Sequence, residues 1–149
     1  MKRLVLGFMF LFLASAGTAQ TETDWRALLT TSGSKVVAVD GATKIDIGMA
    51  KTLHERGLSF IDTRGSYDWK KGHIPGAYDL PYPTEAALTE IVGKNDELVF
   101  YCDCDVGSAN CNRSPHQAAI AVASGFQNVY YFTNSNEWSA EGYAIEKAE

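Results

Sequence analysis

The sequence predicts an α/β domain of three layers, a mostly parallel central sheet flanked by helices. Three observations predict it. Short apolar runs recur at 36–39 (VVAV), 59–62 (SFID), 98–101 (LVFY) and 129–132 (VYYF). Most are bounded by Gly, Pro or charged residues, as strands covered on both faces are. Helix-patterned stretches at 46–56, 84–92 and 115–124 alternate with them. Strand, helix and strand in that order imply right-handed crossovers and parallel pairing.

Taken from the start of the chain, Lys2 and Arg3 precede an apolar run over 4–14, and small residues fill 15–19. A basic head, a short apolar centre and a small-residue exit are the layout of a secretory signal peptide. The run is shorter than the roughly 20 apolar residues of a spanning helix. Residues 1–19 therefore read as a signal peptide, with cleavage after Ala16 or Ala19 and no stable membrane span afterwards. The destination is outside the cytoplasm, in the periplasm. Residues 20–34 form a polar N-terminal arm with a small apolar face of Trp25, Leu28 and Leu29, and residues 35–149 form the domain. About 130 residues suffice for one core but not two. The formal charge of −5 becomes −7 without Lys2 and Arg3, and no basic stripe appears, which argues against a nucleic-acid partner.

In the first helical stretch Ile47, Ala50, Leu53 and His54 recur at helical spacing, His54 reads as exposed, and Gly57 follows as the C-cap. The third is the best defined. Ser114 reads as its cap, Pro115 as its first residue, and Gln117 as the partner in a capping box. Gly125 ends it. In parallel sheets ligands bind beyond the carboxyl ends of strands, where loops lead into helices. Cys102 stands there, directly after the 98–101 run.

All three cysteines, Cys102, Cys104 and Cys111, fall between the strand and the helix, in "FYCDCDVGSANCNRSP". Three are too few for a disulfide framework, and an odd number leaves one thiol without an internal partner. Nucleophilic chemistry, a metal and a disulfide clasp are all open on these residues. Cys102, Cys104 and Cys111 with Asp103, Asp105 or His116 make a ligand set suited to zinc or copper, although Cys-x-Cys alone is a weak metal signal. A Cys102–Cys111 or Cys104–Cys111 bridge would make a redox or non-catalytic module.

Over nearly the whole segment from residue 35 the sequence resembles the rhodanese-like sulfurtransferase family. "FIDTRGSYDWKKGHIPGA" is similar to its first signature, with Asp62, Arg64, Asp68, Trp69 and the run from Gly72 to Ala77. "LVFYC", "RSPHQAAIAVASGFQNVYYF" and "NEWSAEGYAIE" resemble the strand, the active-site helix with its following strand, and the tail. The resemblance implies a rhodanese-like fold and transfer of sulfane sulfur from a thiosulfate-like donor to a thiol or cyanide acceptor through a cysteine persulfide. It implies no cofactor and no metal. This chain departs from the family in its active-site loop. Cys102 and Arg113 have ten residues between them, about six more than the compact Cys-x-x-Gly-x-Arg-Ser pattern.

The resemblance puts the nucleophile at Cys102, with Cys111 as runner-up and Cys104 behind it. A thiol must ionise from about 8.5, and helix N-termini and cations favour that. Arg113 reads as the cation that holds an anionic donor, a use that explains a positive charge set against the helix dipole. Asp62 and Arg64 read as an acid–base pair holding loops together, with Arg64 a candidate for supporting substrate. His73 reads as a structural hydrogen-bonding residue and not a general base, and Ser114 as a supporting residue at the helix start. Asp103 and Asp105 flank Cys104, where they oppose thiolate formation and repel thiosulfate. Their field favours a neutral or cationic acceptor, or a partner protein's thiol. A phosphatase reading is weak: Tyr101 stands where the tyrosine-phosphatase-like relatives of this fold place His, and Ser108 where they place Arg.

Overall fold

The structure, a computed structural model, describes residues 38–39, 41–103 and 113–148. Its elements run β1 (Ala38–Val39), β2 (Ala42–Lys44), α1 (Ile47–Glu55), β3 (Ser59–Asp62), α2 (Ser66–Lys71), β4 (Tyr78–Asp79), α3 (Glu85–Ile91), β5 (Glu97–Tyr101), α4 (Arg113–Ala123), β6 (Asn128–Phe132) and α5 (Asn136–Ala140). The sheet order is β1-β2-β6-β5-β3-β4. β1 pairs antiparallel with β2, and the other five strands are mutually parallel.

Alternation along β5 explains why its sequence is apolar from Leu98 onward. Leu98 and Phe100 point to one face, where they join Ile61, Leu88, Ala118, Ala121 and Phe126. Val99 and Tyr101 point to the other, with Ala50, Leu53, Phe60, Phe132 and Trp138. A strand with a packed layer on each side has no solvent face on which to place polar residues. On the first face α4 presents Ala118 and Ala121, both fully buried, so small side chains mark its contact with the sheet.

Side chains and glycines mark several helix boundaries. Asp46 Oδ1 accepts from the N–H of Met49 at 2.8 Å, and Thr84 Oγ1 from that of Ala87 at 3.2 Å, each satisfying a donor the helix start leaves open. Gly57 and Gly125 follow α1 and α4 at φ +84° and +93°, the left-handed region where a side chain is strained.

Two expectations need correction, and four elements, β2, β4 and the short helices α2 and α5, were not foreseen. Helix α4 begins at Arg113, so Ser114 lies inside it and does not cap it. Its Oγ is taken by Phe132 O at 2.8 Å and Cys102 Sγ at 3.1 Å, so the expected capping box does not rest on it. His54 is half-buried, with Nε2 2.8 Å from Pro75 O and its ring edge-on to Phe60 and Trp138.

Candidate active site

The parallel register brings three strand ends together. Asp62 pairs with Tyr101, and Tyr101 with Phe132. The next residues of each strand therefore leave the sheet along one edge. Thr63 fastens the first two ends through its N–H and Oγ1, which donate to Tyr101 O at 3.0 and 2.8 Å. Cys102 continues the ladder: its N–H donates to Phe132 O at 3.3 Å, and its carbonyl accepts from Ser135 N–H at 3.2 Å. Asp103 adds an antiparallel bridge to Asn134. The backbone is thus held on both sides of the cysteine.

Cys102 is 1% exposed, yet it lines a cleft of about 410 Å³ together with Arg64, Asp68, Lys71, Asp103 and Arg113. Its Sγ lies 3.1 Å from Ser114 Oγ, and that hydroxyl also donates to Phe132 O at 2.8 Å. A serine hydroxyl has one proton and two acceptor positions. While its proton is on Phe132 O, it accepts from the thiol S–H. Once the sulfur ionises, the hydroxyl turns and donates to it, and Phe132 O keeps the N–H of Cys102. Thiol and thiolate are therefore both served by one rotation about a buried Cβ–Oγ bond.

Asp62 and Arg64 form the adjoining cluster. Asp62 is fully buried. Its carboxylate accepts from Arg64 N–H at 2.9 Å, Arg64 Nη2 at 2.6 Å and Tyr101 Oη at 2.8 Å. Arg64 also donates to Gly72 O at 2.7 Å, which ties the end of β3 to the end of α2. Burial opposes the Arg64 charge, but the hydrogen bonds and charge of Asp62, aided by Tyr101 and Asp103, outweigh it and leave the pKa raised. Burial, reinforced by Asp62, pushes the Tyr101 phenol far above its ordinary value. Tyr101 Oη also accepts from Ile74 N–H at 3.3 Å. The pair thus organises the backbone, while Arg64 still presents part of its surface to the cleft.

Arg113 is exposed on the cleft wall, and one of its guanidinium N–H groups donates to the carbonyl of Arg64. Lys71 was missed in the sequence reading. The i, i+3 spacing of Asp68 and Lys71 was the available signal, since it puts both on one face of a helical turn. His73 is buried and stacks on Trp69 at 4.0 Å, its Nδ1 is 2.8 Å from Trp69 O, and its backbone pairs with Glu146. It fastens the turn after α2 to the C-terminal tail. A smaller hollow of about 160 Å³ adjoins the cleft and shares Arg64 and Asp103 with it. His116 is exposed on α4, and Cys104, Cys111 and Asp105 lie outside the described residues.

The chain is 31% identical over 88 residues to the tRNA uridine(34) hydroxylase of Buchnera aphidicola subsp. Schizaphis graminum, covering 55% of this chain and 26% of that one. It is 27% identical over 99 residues to Rhodanese-like domain-containing protein 17 of Arabidopsis thaliana, covering 57% and 60%. It therefore spans less than two thirds of the length of either relative. The solution structure of the rhodanese-like domain of the Anabaena sp. Alr3790 protein is similar in fold, with a TM-score of 0.55 and 20% identity over 70% of this chain and 79% of that one. The Rhodanese-like domain family matches residues 48–141, well over half of the sequence, and the chain belongs to that family.

Proposed function

We propose that the protein is a sulfurtransferase in which Cys102 carries sulfane sulfur as a persulfide from a thiosulfate-like donor to a thiol or cyanide acceptor. One observation carries the reading: Cys102 lines a cleft whose wall also bears Arg64, Lys71 and Arg113, and its sulfur has a hydroxyl beside it that can donate to the thiolate. The Cys102 thiolate attacks the outer sulfur of the donor, whose S–S bond breaks, and sulfite leaves with the electron pair. An acceptor thiolate or cyanide then attacks the outer sulfur of the persulfide and frees the Cys102 thiolate. The cations on the wall can pair with the negative charge of an anionic donor. Neither half-reaction calls for a cofactor.

The basic-apolar-small pattern of residues 1–19 supports export to the periplasm as part of the same proposal. The test is intact mass after incubation with thiosulfate, for the wild type and for Cys102→Ser, Cys104→Ser and Cys111→Ser. The expected result is a gain of one sulfur atom that is lost in Cys102→Ser alone. A gain that survives Cys102→Ser, or that disappears with Cys111→Ser instead, would move the nucleophile elsewhere.

A further inference from the structure

The smaller hollow beside the cleft is lined in part by Ser135, which is 8% exposed. Its Oγ is enclosed, with no hydrogen-bond partner among the described residues. Buried hydroxyls ordinarily have one. The Ser135 backbone is already in use: its N–H donates to Cys102 O at 3.2 Å, and its carbonyl accepts from Trp138 N–H at 3.1 Å. The hollow measures about 160 Å³. That is well above the roughly 10–15 Å³ that admits one water. It is below the range of about 300–1,000 Å³ for drug-sized ligands, so a molecule of a few heavy atoms fits it.

The lining is apolar at Ile74, Trp138 and Ile145 and polar at Arg64, Asp103 and Ser135. Arg64 gives Nε and Nη2 to Asp62 and Gly72 O, and among the described residues its Nη1 makes no hydrogen bond. Asp103 is exposed and, among the described residues, in no ion pair. A carboxylate brought to Arg64 meets Asp103, and finds the guanidinium already balanced by Asp62. An ammonium brought to Asp103 meets Arg64. A primary carboxamide is uncharged and carries a carbonyl acceptor beside N–H donors, so Arg64 and Asp103 can each gain a bond. The Ser135 hydroxyl serves either half of it, as donor or as acceptor. We propose that the hollow is a binding site for a small aliphatic primary amide, its head among Arg64, Asp103 and Ser135 and its body against Ile74, Trp138 and Ile145. This site is separate from the Cys102 sulfur and does not depend on that thiol carrying sulfur.

The test titrates the full chain with isobutyramide, isobutyrate and isobutylamine, which share a branched aliphatic body and differ in the charge of the head at neutral pH. Binding is read from the NMR signals of the Ile74 and Ile145 amides and the Trp138 indole N–H. Isobutyramide is expected to shift all three saturably. The two charged analogues should bind about tenfold more weakly, since each buries a charge without a free partner. Ser135→Ala should weaken isobutyramide about fivefold, the worth of one neutral hydrogen bond. Without ligand, that variant should unfold at the same temperature as the wild type or slightly above it, because the lost hydroxyl has no partner within the protein. A lowered unfolding temperature would assign the hydroxyl to the fold and overturn the inference. So would the absence of saturable shifts at the three reporters, equal affinity for the three probes, or isobutyramide binding that Ser135→Ala leaves unchanged.

Discussion

Two strand ends lie side by side at the edge of this sheet, and they are finished in opposite ways. At the end of β3, Asp62 is fully buried and every partner is committed: the Arg64 backbone, the Arg64 guanidinium and the Tyr101 hydroxyl all point at one carboxylate. At the end of β5, Cys102 has its backbone fastened, but its sulfur faces a Ser114 hydroxyl with a second acceptor available. The first cluster aims three donor groups at one acceptor. The second has one proton and two places to put it. A closed set of charge-assisted bonds keeps a loop where it is, whereas a reassignable donor lets a neighbouring atom change charge without moving the backbone.

The sharpest way to break this contrast is to open the closed end. Asp62→Ala leaves the Arg64 guanidinium, only 13% exposed, without its carboxylate. Removing one partner of a buried pair costs about 3–5 kcal/mol. The expected outcome is a loss of that size in urea unfolding, and with it a loss of sulfur loading because the cleft wall collapses. A cost under about 0.5 kcal/mol, the usual range for surface substitutions, would mean that the cluster does not organise the strand end.

Ser114→Ala tests the open end. A hydrogen bond to a charged group contributes about 1.5–3 kcal/mol, so alkylation of Cys102 at neutral pH should slow by roughly tenfold or more. Stability should change little, since Phe132 O keeps the N–H of Cys102. Ser114→Thr keeps the hydroxyl and should recover most of the rate. Peptide-mapped alkylation with iodoacetamide reads the effect at Cys102 apart from the other two thiols. Equal rates in wild type and Ser114→Ala would show that the hydroxyl stays on Phe132 O throughout.

This contrast was only half legible in the sequence. The strands that build the sheet centre were readable, because β3, β5 and β6 are buried on both faces and each carries an apolar run, at 60–61, 98–101 and 129–132. β2 and β4 have three and two residues, too few for any period to show, and β2 ends in Lys44. The short α2 was hidden because none of its residues is buried, so no apolar face marks it. That concealed Lys71 as well, whose position on the cleft depends on that turn being helical. Asp62, Arg64 and Cys102 stand out in the sequence because motif and strand end coincide. Ser114 was assigned to the wrong partner for a physical reason: Ser followed by Pro and Gln is a strong cap signal, and nothing local says that its hydroxyl will meet a strand at Phe132, eighteen residues further along.

The smallest expected effect returns to the closed end. Tyr101→Phe removes one of the donors to Asp62 while Arg64 retains its own, so at neutral pH it should cost about 1–2 kcal/mol. Its diagnostic value lies in alkali. Burial, then the negative charge of Asp62, holds the Tyr101 phenol well above the usual value near 10. In unfolded chains the phenol releases its proton above about pH 10, while the folded protein keeps it. The unfolded state then binds fewer protons, so stability present below that pH is lost as pH rises toward the folded pKa, at about 1.4 kcal/mol per pH unit from this one group. Urea unfolding from neutral pH to about pH 11 should therefore show a steeper alkaline decline in the wild type than in Tyr101→Phe, with the two curves converging. Parallel curves would mean that Tyr101 ionises as easily in the fold as in solution. The carboxylate beside it would then be less enclosed than its contacts indicate, and the contrast between the two strand ends would lose its basis.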